Sequence, residues 1–249
     1  MPGTDAVDRV EAELRRLGTA KRASGSKKYL KSELDFLGAT VGDIRRVVGV
    51  LNKERSDLTR GAVIELARAL WNPPVFELRL AAVMLLQKRV GRLGAGDLEV
   101  VEELIRDSKT WALVDPLAVD VAGPILLSDL AAGATIERWA HDSDFWVRRS
   151  ALLAHLNGLR AGGELEPFGG YADEMLEEKE FFIRKAIGWV LREAGKRRPQ
   201  DVAAWLGPRT HRASGVTMRE TVKYLSDEDR TRLMAAYHDR RPADEPVTG

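Results

Sequence analysis

The chain contains no cysteine among its 249 residues, and aromatic residues make up only 6% of it. Without thiols, disulfide bonds and thiolate metal sites are excluded. The alternation of apolar and polar residues that is typical of a half-buried strand does not occur. No apolar run approaches the roughly 18 residues of a membrane span, and the N-terminal residues lack the pattern of a secretory signal. We therefore expect a cytosolic protein that does not interact with a membrane.

The net charge is small, but the charges are unevenly distributed. The formal net charge is +1, yet residues 15–31 contain seven basic side chains and no acidic one. Residues 184–223 carry a second basic excess, whereas residues 97–107 and 164–180 are acidic. A basic stripe that binds nucleic acid is therefore possible on a nearly neutral protein, although a charge run alone is more often a solvated helix face.

Apolar residues recur at spacings of three and four along almost the whole chain, as in Val63, Leu66, Ala67, Leu70 and Trp71. This periodicity predicts about a dozen helices of roughly 8 to 20 residues joined by short turns. Helix-start residues precede four of the runs, at Thr40, Asp57, Ser143 and Ser226.

Helices of this length joined by tight turns stack as antiparallel pairs, with a period of about 40 residues in HEAT-type solenoids. A compact bundle is the alternative. We favour the solenoid because residues 145–158 and 181–194 share a pattern of aromatic, then basic, then aliphatic side chains. We thus predict an all-α, curved solenoid with a concave groove that can track a duplex. It would form a single domain over residues 1–239, followed by a flexible tail at residues 240–249.

Trp111 and Asp115 form the most informative pair in the sequence. They are four residues apart, so on one helix they would share a face, with the carboxylate about one turn beyond the indole. Pro116 follows directly, however, and Asp115 could instead cap a helix that starts at the proline, with Trp111 in the core. The residues alone leave both interpretations open.

Two further segments combine aromatic and basic side chains. Trp146 and Arg149 are three apart near a predicted helix start, where the helix dipole disfavours arginine unless an anion such as phosphate is held there. A surface charge paired with an acidic residue is the alternative. Lys185, Trp189 and Arg192 lie on one helix stripe, which suits either packing or a charged aromatic ligand.

These segments resemble the AlkD family of bacterial DNA alkylation repair glycosylases, from Tyr29 to about Lys223. The resemblance rests on these strings: Lys-Lys-Tyr29-Leu-Lys, Phe36-Leu-Gly, Ala69-Leu-Trp71-Asn-Pro-Pro, Leu86-Gln-Lys88, Ser108-Lys-Thr-Trp111, Val114-Asp115, Trp146-Val-Arg-Arg149 and Phe181-Phe-Ile-Arg-Lys-Ala-Ile-Gly-Trp189-Val-Leu-Arg-Glu. The chain departs from the usual family pattern beside Trp111, where Thr110 and Ala112 stand at positions that often carry a second tryptophan.

The resemblance implies a HEAT-like solenoid whose concave face holds duplex DNA. The matching positions imply a catalytic site of Asp115, Trp111 and Trp189. Arg149 would bind a phosphate, with the adjacent Arg148 as the alternative. The full set expected to contact DNA is Arg149, Arg148, Lys185, Arg192, Trp146 and Lys28.

The function implied is excision of N3- or N7-alkylated purines from duplex DNA, without base flipping, as the first step of base excision repair. Asp115 would stabilise the oxocarbenium-like sugar as the cationic base departs. Neither cofactor nor metal is expected, and the protein is expected to be a monomer. Two alternatives are a self-resistance glycosylase for bulky natural-product adducts and a noncatalytic scaffold that binds DNA or protein.

Overall fold

A computed structural model of the protein describes residues 2–239, so the predicted tail at 240–249 lies outside the described residues. Over the described residues the chain is helical, and its only extended pairing is an isolated bridge between Asp35 and Val75. The prediction of an all-α fold is confirmed.

The chain divides into two compact units, Met1–Arg138 and Trp139–Gly249. In the first unit α5 is central: it is apolar on nearly all sides, is buried along most of its length, and packs against α3, α4 and α7. The helices of this unit are α1 (Pro2–Leu17), α2 (Ala20–Leu30), α3 (Val41–Glu54), α4 (Arg60–Trp71), α5 (Phe76–Arg89), α6 (Leu98–Ser108), α7 (Trp111–Leu117) and α8 (Gly123–Ser128), and α9 (Ala132–Ala140) crosses the boundary.

In the second unit the central helix is α13, which packs against α10, α11, α14 and α15. The helices are α10 (Phe145–Ala154), α11 (Leu156–Arg160), α12 (Phe168–Glu174), α13 (Phe181–Gly195), α14 (Pro199–Leu206), α15 (Gly215–Thr221) and α16 (Asp227–His238). The solenoid class is confirmed, although residues 145–158 form two helices that break at His155. The concave groove and the single domain over residues 1–239 stay predictions.

Side-chain caps start many of the helices. Thr40 and Ser226 cap α3 and α16 as predicted, and Thr40 forms a reciprocal capping box with Asp43. At the other two starts the cap lies one or two residues later than predicted. These caps are Asp144 instead of Ser143 and Thr59 instead of Asp57.

The helical stretch Trp111–Ser128 is long and apolar enough, with a mean hydropathy of 1.4, to pass a length and composition test for a membrane span. The expectation that no run approaches this length is therefore wrong. Half of the stretch is buried inside the protein, and its first helix packs against α5 and α6. These contacts are those of a core helix, which passes the same test because its apolar side chains face other helices.

Gly188 lies where α13 and α15 pack closely on each other. A Cβ atom there would lie 2.8 Å from Cβ of Glu220 and 3.1 Å from the carbonyl oxygen of Thr217. Because α15 would have to move away from α13, we expect Gly188→Ala to lower the free energy of unfolding by about 1–2 kcal/mol despite its better helix propensity. Gly49→Ala is the control: a Cβ atom there would have no heavy atom within 4 Å beyond its own helix backbone and chain neighbours, so we expect a gain of about 0.5–1 kcal/mol. Urea unfolding of both variants measures this, and a neutral Gly188→Ala would contradict the close packing.

His155 makes the stability of the second unit depend on pH. It lies against the rings of Phe168 and Tyr171, and its Nε2 atom is buried without a hydrogen-bond partner among the described residues. Burial lowers its pKa from 6.5 to about 4. Between these values the unfolded chain binds more protons, so stability is complete above pH 6.5 and is lost as the pH falls, by about 3 kcal/mol in total. Unfolding at several pH values should show this loss in the wild type and not in His155→Leu; equal slopes would contradict it.

Candidate functional site

Trp111 and Asp115 lie one turn apart on α7, as predicted. The helix begins at Trp111 and is capped by Thr110, so the alternative in which Asp115 caps a helix starting at Pro116 is wrong. Both side chains are partly exposed, whereas Leu113 and Val114 are fully buried. Because Leu113 and Val114 point into the core, the other face of α7, which carries the indole and the carboxylate, points outward.

The turn that precedes Trp111 is held by polar contacts between the buried side chains of Trp71 and Arg79 and the exposed carboxylate of Asp107. One carboxylate oxygen of Asp107 accepts a hydrogen bond from Trp71 Nε1 and forms a salt bridge with the Arg79 guanidinium, each at 2.9 Å. Arg79 also donates to the Asp107 carbonyl at 2.9 Å and lies 5.0 Å from the centre of the Trp71 ring. Lys109 then takes the left-handed conformation, with φ of 51°, and ends α6. This network sets where Trp111 starts its helix.

Pro116 lies inside α7 and alters the helix that follows. It has no N–H to donate to the carbonyl of Ala112, one turn earlier. Residues 118–122 then form a π-helical turn before α8 continues. Such turns shift side chains relative to a regular helix and are frequent at functional sites. The irregularity lies directly after Asp115.

A cleft of about 450 Å³ opens beside Trp111 between α2, α3, α5 and α7. Tyr29, which is 74% exposed, meets the Trp111 indole edge to face, with ring centroids 6.2 Å apart. Asp120 lines the cleft and accepts a hydrogen bond of 3.1 Å from Gln87. The remaining lining is mostly apolar: Leu30, Val41, Phe76, Leu80, Met84 and Pro116.

The basic segment at residues 15–31 is only partly available to a ligand. Arg15 and Arg16 pair with acidic residues of α1 itself, and Lys27 lies 3.7 Å from Asp35. Lys28, expected to contact DNA, is exposed on α2 beside Tyr29. Lys28 is thus the neighbour in sequence of a residue that lines the cleft.

The predicted DNA contacts of α10 are mostly engaged within the protein. Trp146 is 8% exposed, and its ring lies 4.5 Å from that of Phe145 and 4.7 Å from that of Phe182. The Arg148 guanidinium donates to both carboxylate oxygens of Glu178, at 2.9 and 2.8 Å, and to two backbone carbonyls. Such bidentate pairs fix both side chains firmly.

Arg149 is 3% exposed, which excludes a solvated surface charge. Its guanidinium donates to the backbone carbonyl of Phe182 and lies 5.7 Å from the centre of that ring. Arg149 thereby joins α10 to the start of α13. Its role as a phosphate ligand stays a prediction.

The predicted residues of α13 differ in accessibility. Trp189 is partly exposed, and Lys185 is exposed with its Nζ 5.8 Å from the centre of the Phe181 ring. Arg192 donates a hydrogen bond to Glu220. Burial works against ionisation of Glu220, but Lys223, Arg192 and Lys185 more than offset it and hold its pKa below the usual range.

The structure groups the predicted residues within each unit separately. Trp111 and Asp115 share α7 in the first unit, and Lys28 lies on the neighbouring α2. Trp146, Arg148 and Arg149 lie on α10, and Lys185, Trp189 and Arg192 lie on α13, in the second unit.

Three features of the site were missed by reasoning from the sequence. These are Tyr29 as the ring partner of Trp111, Asp120 in the cleft, and the Trp71, Arg79 and Asp107 network. Tyr29 and Trp71 both occur in strings that carry the family resemblance, so a signal was present. The contacts join residues 28 or more positions apart, or involve a residue beyond an irregular turn, and no local sequence pattern predicts them.

Comparison with known proteins agrees with these observations. The family model described as DNA alkylation repair enzyme matches residues 10–225. A solved structure titled "Predicted DNA alkylation repair enzyme from Enterococcus faecalis" has a TM-score of 0.73 and 25% identity, covering 84% of this chain and 97% of that one. The structure of smu.31 from Streptococcus mutans UA159, with a TM-score of 0.56 and 16% identity, covers 74% of this chain and 100% of that one, and supports the fold alone. A search of curated proteins finds no match.

The family match spans most of the chain, including both units and every segment singled out above. The chain belongs to the DNA alkylation repair enzyme family, and its role is in the repair of alkylated DNA.

Proposed function

We propose that the protein is a monofunctional DNA glycosylase that hydrolyses the N-glycosidic bond of cationic N3- and N7-alkylated purines in duplex DNA. The base leaves from within the stack, without being flipped into a pocket. The product is an abasic site, which is the substrate of the next step in base excision repair.

The chemistry of the lesion explains why so few groups suffice. Alkylation at N3 or N7 makes the purine a cation, so the base departs as a neutral molecule and needs no protonation. The barrier is then the positive charge that develops on the deoxyribose, and a carboxylate close to C1′ stabilises it and orients a water molecule. Asp115 has this role in the proposal. Trp111 and Trp189 contact the cationic nucleotide through their π faces.

The observation that carries the proposal is the placement of Trp111 and Asp115 one turn apart on the outward face of α7. The cap at Thr110 and the Asp107 network hold the indole in place, which is what a preorganised electrostatic site requires. The exposed Tyr29 extends the aromatic surface by meeting Trp111 at its edge. Lys28 and Lys185 supply positive charge for phosphates.

Replacing the carboxylate of Asp115 tests the mechanism. In Asp115→Asn the developing sugar cation loses its counter-charge, so we expect release of N7-methylguanine from a duplex to fall by about 10²-fold or more. Asp120→Asn is the matched control, because it removes a carboxylate from the same helical stretch, and release should stay within about threefold of the wild type. The measurement is single-turnover formation of abasic sites.

The outcomes of this experiment separate the alternatives. A loss in Asp120→Asn that is absent from Asp115→Asn would transfer the carboxylate role to Asp120. If the wild type formed no abasic sites on any N3- or N7-alkylated duplex while still binding DNA, the noncatalytic scaffold would be the correct function.

A second candidate substrate class is a purine that carries a bulky natural-product adduct, as in a self-resistance glycosylase. It is favoured by the mostly apolar cleft of about 450 Å³ beside Trp111, which far exceeds the space that a methyl group occupies. A large apolar substituent on the base would be shielded from water there.

Filling this cleft distinguishes the two substrate classes. Val41 is 50% exposed at the cleft, so Val41→Trp should block it without disturbing the core. We expect excision of a bulky N3-alkyladenine adduct to fall by about tenfold, and excision of N7-methylguanine to change little. Val50→Trp is the control, because Val50 is 53% exposed on the same helix but lines a different cleft, between α1 and α3. Equal rates of excision of the bulky adduct by the two variants would show that the cleft does not bind the substrate.

A further inference from the structure

Helix α2 carries Tyr29 and Lys28 to the candidate site, although none of its own residues is buried. Most helices in proteins are held by the packing of an apolar face, since short isolated helices are marginal in water. Of the 11 residues of α2, only Ala23, Ser26 and Leu30 are partly covered, so such packing is small. Its position must therefore depend on contacts made at its ends.

The segment that follows α2 is attached to the start of α5 by backbone pairing. The N–H of Asp35 donates to the Pro74 carbonyl at 2.8 Å, and the N–H of Phe76 donates to the Asp35 carbonyl at 2.9 Å. The rings of Phe36 and Phe76 stack next to this pairing, with centroids 4.9 Å apart. Residues 35–38 thus run along residues 74–77.

Glu77 completes this attachment with a buried carboxylate. The residue is 2% exposed, and its two oxygens accept hydrogen bonds from the backbone N–H of Leu37 at 2.9 Å and of Gly38 at 2.7 Å. Glu77 is the second residue of α5, where the helix dipole favours a negative charge. Glu77 therefore fixes residues 37 and 38 to a helix that is buried along most of its length.

Gly38 passes this constraint on to α2. Its carbonyl accepts hydrogen bonds from the Thr19 N–H at 3.2 Å and from Arg22 Nε at 2.7 Å, and Arg22 also donates to the Leu17 carbonyl. Gly38 has φ of +79°, and a Cβ atom there would lie 2.2 Å from the Thr19 carbonyl oxygen. A Cβ atom on Gly18 would lie 2.0 Å from the Leu37 carbonyl oxygen. The turn that starts α2 therefore packs backbone to backbone on the residues held by Glu77.

We propose that Glu77 is a positioning residue of the repair site: through Gly38 and Arg22 it holds α2 so that Tyr29 meets Trp111 and the lysines of α2 face the DNA. Glu77 itself touches neither DNA nor the reacting atoms. The effect on base release rests on the proposed function, whereas the effect on the order of α2 does not.

Glu77→Gln tests this with little change in shape. The amide turns one acceptor into a donor that faces a backbone N–H, so one of the two hydrogen bonds is lost and a donor is left without a partner. Asp97→Asn is the matched control. Asp97 is 3% exposed in the same unit, accepts the Gly94 N–H at 2.9 Å and pairs with Arg60, and none of these groups belongs to α2.

The readout is hydrogen exchange of the backbone amides of α2. A general loss of stability would not accelerate exchange in α2 more than elsewhere. We expect exchange in residues 20–30 to accelerate by about tenfold in Glu77→Gln relative to Asp97→Asn, when the two are compared at equal global stability. Equal exchange of α2 in the two variants would overturn the proposal. If Glu77→Gln does not fold, Arg22→Lys keeps the charge at an exposed position but loses the fork between two carbonyls, and should accelerate the same amides by about threefold.

Single-turnover kinetics extend the test to the site. We expect Glu77→Gln to weaken binding of an undamaged duplex by about threefold to tenfold, and to slow release of N7-methylguanine, while Asp97→Asn changes neither. Absence of base release by the wild type would defeat the proposed glycosylase. In that case α2 exchange and duplex binding still decide the role of Glu77.

Discussion

The carboxylate of Glu77 accepts hydrogen bonds from two backbone N–H groups. In our proposal, the position of α2 beside the candidate site depends on this interaction. Helix α2 buries none of its residues, so hydrophobic packing contributes little to its position. Its place follows from a chain of polar contacts that begins on the buried α5 and ends at the turn of Gly18 and Thr19. The same helix, α5, contributes Arg79 to the network that fixes the start of α7. The segments that carry Tyr29 and Trp111 are thus both attached to α5, through Glu77 and Arg79.

Many arginines of the second unit hold the protein together and leave little of their charge for a ligand. Arg148 is paired with Glu178, Arg192 with Glu220, and Arg209 with Asp173. The hydrogen bond from Arg209, assisted by the charge of Arg212, holds the pKa of Asp173 below its usual range, so this pair is formed at neutral pH. With 39 basic and 38 acidic residues, the net charge of +1 leaves almost no excess of cations over anions. Affinity for DNA then rests on fewer, exposed cations, and it should be modest and sensitive to salt.

Removal of a cationic base requires few functional groups from the protein. A base that leaves as a neutral molecule needs no general acid, and α7 places one carboxylate and one indole on its outward face. The proline and the π-helical turn after Asp115 are local departures from ideal helix geometry, at the point where the outward face of the helix is proposed to act. Strict helical periodicity would have placed Asp120 differently relative to the cleft that it lines.

The sequence by itself determined the all-α class, the family, and the spacing that puts Trp111 and Asp115 on one helix face, because each of these follows from local periodicity or from contiguous strings of residues. It also located the caps at Thr40 and Ser226, whose side chains bond within their own first turn. Only the tertiary structure decided that Arg149 is buried against Phe182, that Trp146 packs in an aromatic cluster, and that Tyr29 belongs beside Trp111. The physical reason is distance along the chain. Burial and pairing of a charged or aromatic side chain depend on which helices are brought against it, and the anchoring of α2 by Glu77 joins residues 39 positions apart through backbone groups that every amino acid shares.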